Sequence, residues 1–164
     1  MQEKPLKVTL AILRYAMALQ LLWAFFDKLL GLGHSTVPEN AWIRFGSPTA
    51  GFLTKSATGP LVPIYNAIGG KGVTDWLYML ALLFIGLSLL LGIGMKISTI
   101  SGSVLMFFMW SAALPKPSNF FQIDQHLIYI LVLLVLLFTR AGQYAGLGRI
   151  WVNTKLVKRL PGLE

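Results

Sequence analysis

Apolar positions in this chain come in four long blocks, over residues 8–30, 76–95, 97–114 and 125–140. The second block holds twenty residues without a charge, between Asp75 and Lys96. The third lies in an uncharged run of nineteen between Lys96 and Lys116. A helix needs about 20 mostly apolar residues to cross the hydrocarbon core of a bilayer, so both read as membrane helices. The first block also qualifies, although Arg14 interrupts it. It has no small-residue cleavage site behind it, so it reads as a retained helix instead of a signal peptide. The fourth is short: fifteen residues separate Asp124 from Arg140, roughly 22 Å at the helical rise of about 1.5 Å per residue. That is less than the ~30 Å slab. Arg140 can snorkel, and Asp124 and His126 are expected at or just below the membrane surface.

The predicted architecture is therefore all-α: a single integral membrane domain over residues 1–164, built as a four-helix bundle. Residues 31–74 form a long loop on one side, and residues 141–164 a basic amphipathic tail on the other. Positive charge sets the orientation. Lys4, Lys7, Lys96, Arg140, Arg149, Lys155, Lys158 and Arg159 share the side of the termini. Arg44, Lys55, Lys71 and Lys116 lie opposite, with Lys28 at the rim. The positive-inside rule places both termini in the cytoplasm, which makes this a multi-pass protein of the cell membrane. Ser88 and Gly92, and Ser98 and Gly102, form small-xxx-small steps where helices pack closely. The 31–74 loop carries four prolines, the turn clusters "GSPTAG" and "IGGKG", and Trp42, Phe45, Phe52 and Tyr65. A loop this long reads as a lid or a pair of short interfacial helices over the bundle, or else as a solvated tether.

Composition narrows the chemistry. The chain is 55% hydrophobic and 12% charged, half the charge of an ordinary soluble domain. It has no cysteine, which excludes disulfides, Cys-ligated iron–sulfur clusters, c-type haem attachment and a CxxC redox pair. Its two histidines, His34 and His126, fall in different contexts, which argues against a bis-histidine haem; no metal or haem is expected. The net charge of +8 sits at segment ends, the signature of membrane topology, and nucleic-acid binding is set aside.

The candidate chemistry gathers at the end of the bundle nearest the loop. Asp27 and Lys28 close the first helix, with Trp23 one turn earlier. The third ends at Trp110, and Asp124, His126 and Tyr129 open the fourth. Charged groups inside membrane segments are costly and usually face the interior and pair. Asp27, Lys28, Asp124 and His126 are thus the candidate catalytic cluster, although Asp124 also suits a helix cap and Lys28 can snorkel. Asp75 reads as an ordinary N-cap. Arg14 has three readings: snorkelling, bonding to a carbonyl, or pairing with a carboxylate of a partner. Trp23, Trp110 and Tyr129, with Arg14, are candidates for lining a substrate or quinone pocket.

At these residues the sequence resembles the DoxX family of small four-helix membrane proteins, and more closely its DoxD-like branch. The resemblance lies in "LRYAMALQLLWAFFDKLLGLG", "GSPTAGFL", "DWLYMLALLFIGLSLLLGIGM", "QIDQHLIYILVLLVL" and "AGQYAGLGRIW". Before the fourth helix the family pattern has a proline where this chain has Phe120. The resemblance implies a subunit of a thiosulfate:quinone oxidoreductase, in which two thiosulfates join as tetrathionate and quinone accepts two electrons and two protons. Lys28 and His126, with Arg44 or Lys71, would attract the dianion, and His126 or Asp124 would relay protons. Without metal ligands for a one-electron relay, a partner membrane subunit is expected, or else a homo-oligomer. Two alternatives stand beside this one: a non-catalytic anchor or assembly subunit, and a binder of small lipophilic molecules.

Overall fold

The structure is a computed structural model that describes residues 3–114 and 123–163. Lys116 and Phe120, both invoked above, lie outside these residues. The chain folds as helices: α1 (Glu3–Leu30), α2 (Val62–Ile68), α3 (Gly72–Leu91), α4 (Met95–Ala112), α5 (Gln125–Phe138), α6 (Gly148–Val152) and α7 (Lys155–Arg159). Among the described residues there are no strands, only an isolated bridge between Thr58 and Ala113.

The four long helices follow the four apolar blocks and extend the first toward the N-terminus, where Lys7 pairs with Glu3 at 2.7 Å. Two of them, α1 and α3, are long and apolar enough to cross a membrane. Helix α5, with fourteen residues, is shorter. Helix α4 is less apolar than its uncharged stretch suggested, because Lys96, Ser98, Thr99, Ser101 and Ser103 dilute its first half.

Helix α1 packs along α3, α4 along α5, and α3 against α4, while α1 touches α5 more lightly. Small residues set the close approaches. A Cβ on Gly86 would come within 2.8 Å of Leu22, and one on Gly102 within 3.0 Å of Leu133 and 3.3 Å of Ile85. The core runs through Met17, Leu21, Phe25, Met79, Leu82, Leu89, Met106, Leu133 and Leu136. Ser98 and Gly102 are buried as the small-residue step requires. Gly92 instead ends α3, in the left-handed conformation (φ 74°).

Helix ends define two poles. At the first, here the loop end, residues 31–71 fold over the junction of α1, α3 and α4. They form short turns at Pro38–Asn40, Trp42–Arg44 and Gly51–Ser56 before α2. At the second, the tail end, residues 141–163 pack as a short turn at Ala141–Gln143 followed by α6 and α7.

Candidate functional site

The buried charges are the place to begin, because each must find partners within the protein. Asp27 is fully buried. Its carboxylate accepts the backbone N–H of His34 at 3.0 Å, and the N–H and hydroxyl of Ser35 at 3.1 and 2.7 Å. Lys28 donates to the same Ser35 hydroxyl at 3.0 Å, and its Nζ lies 6.0 Å from the Tyr78 ring centre. The pair at the end of α1 thus ties down the first turn of the loop.

Asp75 does the same for the second turn. It is buried, and it is not the N-cap of α3, a position held by Lys71. From the first turn of α3 its carboxylate accepts the hydroxyl of Ser47 at 2.8 Å, and both the N–H (3.2 Å) and the hydroxyl of Thr49. Further ties hold the remainder of the loop. Tyr65 of α2 shares a 2.5 Å hydrogen bond with Ser111, and Thr58 N–H donates to Ala112 at 2.9 Å. Trp42 meets Trp76 edge to face at 4.6 Å.

Beneath this roof lies a cavity of about 1070 Å³. Its apolar wall includes Leu77 and Ala81 of α3, and Val104, Leu105 and Phe108 of α4. Ser35, Ser47, Thr49, Tyr65, Tyr78 and the cations Lys28 and Lys55 are among its polar lining; among the described residues no carboxylate lines it. Leu77, Val104 and Phe108 are about half exposed or more, so the cavity opens sideways between α3 and α4.

The predicted cluster is not bonded together. Among the described residues no hydrogen bond or ion pair joins Asp27 or Lys28 to Asp124 or His126. Asp124 caps α5 by accepting the His126 N–H at 2.8 Å, and also meets the His126 ring Nδ1 at 2.6 Å. The reason is local. An aspartate two residues before a histidine at a helix start is satisfied by its own turn and has no need to reach α1. Tyr129 stands edge-on to His126 with ring centres 6.4 Å apart and packs against the core. Trp23 is half exposed, so it does not share the buried environment of Asp27. Trp110 is half-buried against Phe107, ring centres 5.5 Å apart. Of the eight candidates, Lys28 alone lines the cavity.

Arg14 belongs to the other pole and does not line the large cavity. It is fully buried, and its guanidinium donates to Leu89 and Leu90 (2.8 Å for the latter) at the end of α3 and to Tyr144 (3.1 Å) and Ala145 (3.0 Å). The neighbouring Tyr15 lies 4.4 Å beneath it and also donates to Ala145. Of the three readings, carbonyl bonding is the one observed.

Residues missed at the sequence level are those that shape the roof: Asp75, Ser35, Thr49 and Tyr78. The available signal was a lone acid in the first turn of an apolar helix, together with a hydroxyl-rich "GSPTAG" turn that needs an acceptor. Among the described residues no group of three or more His, Asp or Glu is placed to hold a metal. Family models, curated proteins and solved structures contain no match to this chain.

Proposed function

We propose that this is a multi-pass protein of the cell membrane, a four-helix bundle with cytoplasmic termini, whose loop end holds a membrane-diffusible quinone under an extracytoplasmic roof. What supports the membrane reading is the outer surface. Leu19, Phe26, Leu77, Phe84, Ile100, Phe107, Leu131 and Val135 present large apolar side chains from all four long helices. A soluble monomer rarely exposes so continuous an apolar surface. With α3 and α4 in lipid, the sideways opening of the cavity faces the acyl chains, from which a quinone would enter.

The cavity carries the functional reading. Its volume lies just above the usual range of about 300–1,000 Å³ for a small-molecule site. Its apolar wall suits a ring and the first units of an isoprenoid tail, and Lys28 and the nearby hydroxyls are donors for quinone carbonyls. The resemblance to the DoxD-like branch supplies the reaction class. In it, two thiosulfates and one quinone, with two protons, become one tetrathionate and one quinol. This chain would be the quinone-binding subunit, with thiosulfate oxidised together with a partner. Asp27 contributes by holding Ser35, and with it the polar rim, in place.

The test is extraction of quinone from protein purified out of its native membrane. The wild type should carry quinone near one per chain. Ala81→Trp, which fills the cavity, should lose at least tenfold, and Lys28→Met should lose less. Protein that carries no quinone and binds none on titration overturns the reading. A second reading rests on the fact that both charged lining groups are cations: the ligand would be a lipophilic anion such as a fatty acid. Recovery of a fatty acid instead of a quinone in the same extract would decide for it.

A further inference from the structure

The roof contains a turn that is rigid and yet presents apolar side chains outward. Over residues 41–46 the N–H groups of Arg44 and Gly46 both donate to the Ala41 carbonyl, at 2.9 and 3.0 Å, and that of Phe45 donates to Trp42 at 3.0 Å. Ala41 is fully buried, and Trp42 packs against the core. A Cβ on Gly46 would fall 2.0 Å from the Asn40 carbonyl oxygen, so the turn has no slack. From this fixed base Ile43, Arg44 and Phe45 are exposed.

Phe45 combines two unfavourable features for a residue in water. Its side chain is completely exposed, and its backbone holds the left-handed conformation (φ 65°, ψ 17°). That conformation is strained for a bulky residue, and glycine would adopt it freely. Ile43 is more than half exposed. Arg44 lies between them in sequence, and among the described residues no hydrogen bond or ion pair engages its guanidinium. The nearby acids are otherwise engaged or apart. Asp75 bonds Ser47 and Thr49, Asp27 bonds residues 34 and 35, and the exposed Glu39 forms no ion pair with Arg44.

The position of the turn indicates what meets it. Trp42 stacks edge to face on Trp76, near the start of α3. Trp76 is more than half exposed, as are Val73 and Leu77, and α3 is long and apolar enough to cross a membrane. The turn therefore extends the outer apolar surface of α3 at its loop end, the level where aromatic side chains meet headgroups.

We propose that residues 43–45 dock into the extracytoplasmic leaflet of the bilayer. Ile43 and Phe45 enter the boundary between headgroups and acyl chains, and Arg44 pairs with a phospholipid phosphate. The roof is then held from two sides, by Asp27 and Asp75 from the helices and by this wedge from the lipid. The inference rests on the membrane reading above and is independent of what the cavity holds.

The chain has no cysteine, so a single nitroxide label can be placed without other changes. Ile43→Cys, labelled and reconstituted in phosphatidylcholine vesicles, leaves Phe45 in place. Its collisions with oxygen, which partitions into lipid, should exceed those with a water-soluble nickel chelate by at least fivefold. Phe45→Gly suits the left-handed turn, and in that background the ratio should fall at least threefold; Arg44→Gln should lower it less. A label that meets the nickel chelate more often than oxygen overturns the proposal. So does a label shielded from both probes, which would put protein over the turn. A ratio unchanged by Phe45→Gly overturns the wedge. A label at Phe84→Cys, an exposed position midway along α3, checks the membrane reading separately and should lie deep in lipid. An aqueous Phe84 label refutes that reading, a different failure from an aqueous turn on an inserted protein.

Discussion

Helix α1 carries an anion at one pole of the molecule and a cation at the other, and the two do matching work in opposite senses. At the loop end Asp27 accepts from the N–H groups of residues 34 and 35, and Asp75 from that of Thr49. At the tail end Arg14 donates to the carbonyls of residues 89, 90, 144 and 145. The last carbonyls of a helix have no partner within it, and its C-terminus carries partial negative charge. Arg14 meets both needs at the end of α3, while Asp75 complements the positive start of the same helix. The poles differ in what surrounds these anchors. The carboxylates hold a roof over a large cavity, whereas Arg14 is packed solid, with a Cβ on Gly146 only 3.0 Å from its Nη2. Charge buried in an apolar helix therefore does not by itself mark a reaction site. Here it marks the places where irregular backbone must be docked onto helices.

Breaking the tail-end anchor should have the largest effect. Arg14→Met leaves the carbonyls of Leu89, Leu90 and Tyr144 without a side-chain donor, while Ala145 keeps Tyr15, a loss of about 3–5 kcal/mol from buried acceptors left unsatisfied. At about 2–4 °C per kcal/mol for a chain of this size, thermal unfolding should come about 6–20 °C lower. Arg14→Lys should recover part of this, because a single ammonium cannot serve both pairs of carbonyls. At the loop end, Asp27→Ala and Asp75→Ala should each cost about 1–3 kcal/mol through unpaired turn donors. The two sites share no partner, so their effects should add within about 0.5 kcal/mol. Limited proteolysis should cut residues 31–71 faster in both variants with the long helices still resistant, and unchanged cutting would show that the carboxylates do not hold the roof. Asp124→Ala removes one cap and should cost about 1 kcal/mol. His126→Gln should be the mildest, within about 0.5 kcal/mol as for a partly exposed pair. It should leave quinone retention unchanged, because His126 does not line the cavity. A large loss of binding on His126→Gln would restore the site predicted from sequence and collapse the distinction between the poles.

Much of the helical frame was legible because apolar runs between charges report helix length directly. The breaks at Leu30 and Asp124 follow from composition and capping chemistry, whereas the end of α3 at Gly92 falls inside the block read as running to residue 95. The cap role of Asp124 was legible for the same reason, since it depends only on neighbours in sequence. The candidate cluster was not, because its assembly required side chains from α1 and α5 to meet, and α1 spends its length against α3 instead. Trp23 and Asp27, one helical turn apart, suggested a shared face. Their different exposure shows that one turn is enough to move from the surface to the core at a helix end. Asp75 was misread for a related reason: a first-turn acid looks like a cap until a distant hydroxyl-bearing turn is brought onto it.

The reach of Arg14 has a consequence for biosynthesis. Two of its four acceptors lie 130 and 131 residues downstream. The carbonyls of Leu89 and Leu90 are therefore synthesised well before those of Tyr144 and Ala145. During that interval the guanidinium lacks half of its final acceptors, so a nascent chain interrupted before Tyr144 keeps Arg14 incompletely bonded. The same bonds that finish the fold thus make the burial of Arg14 depend on residues 144 and 145 being present.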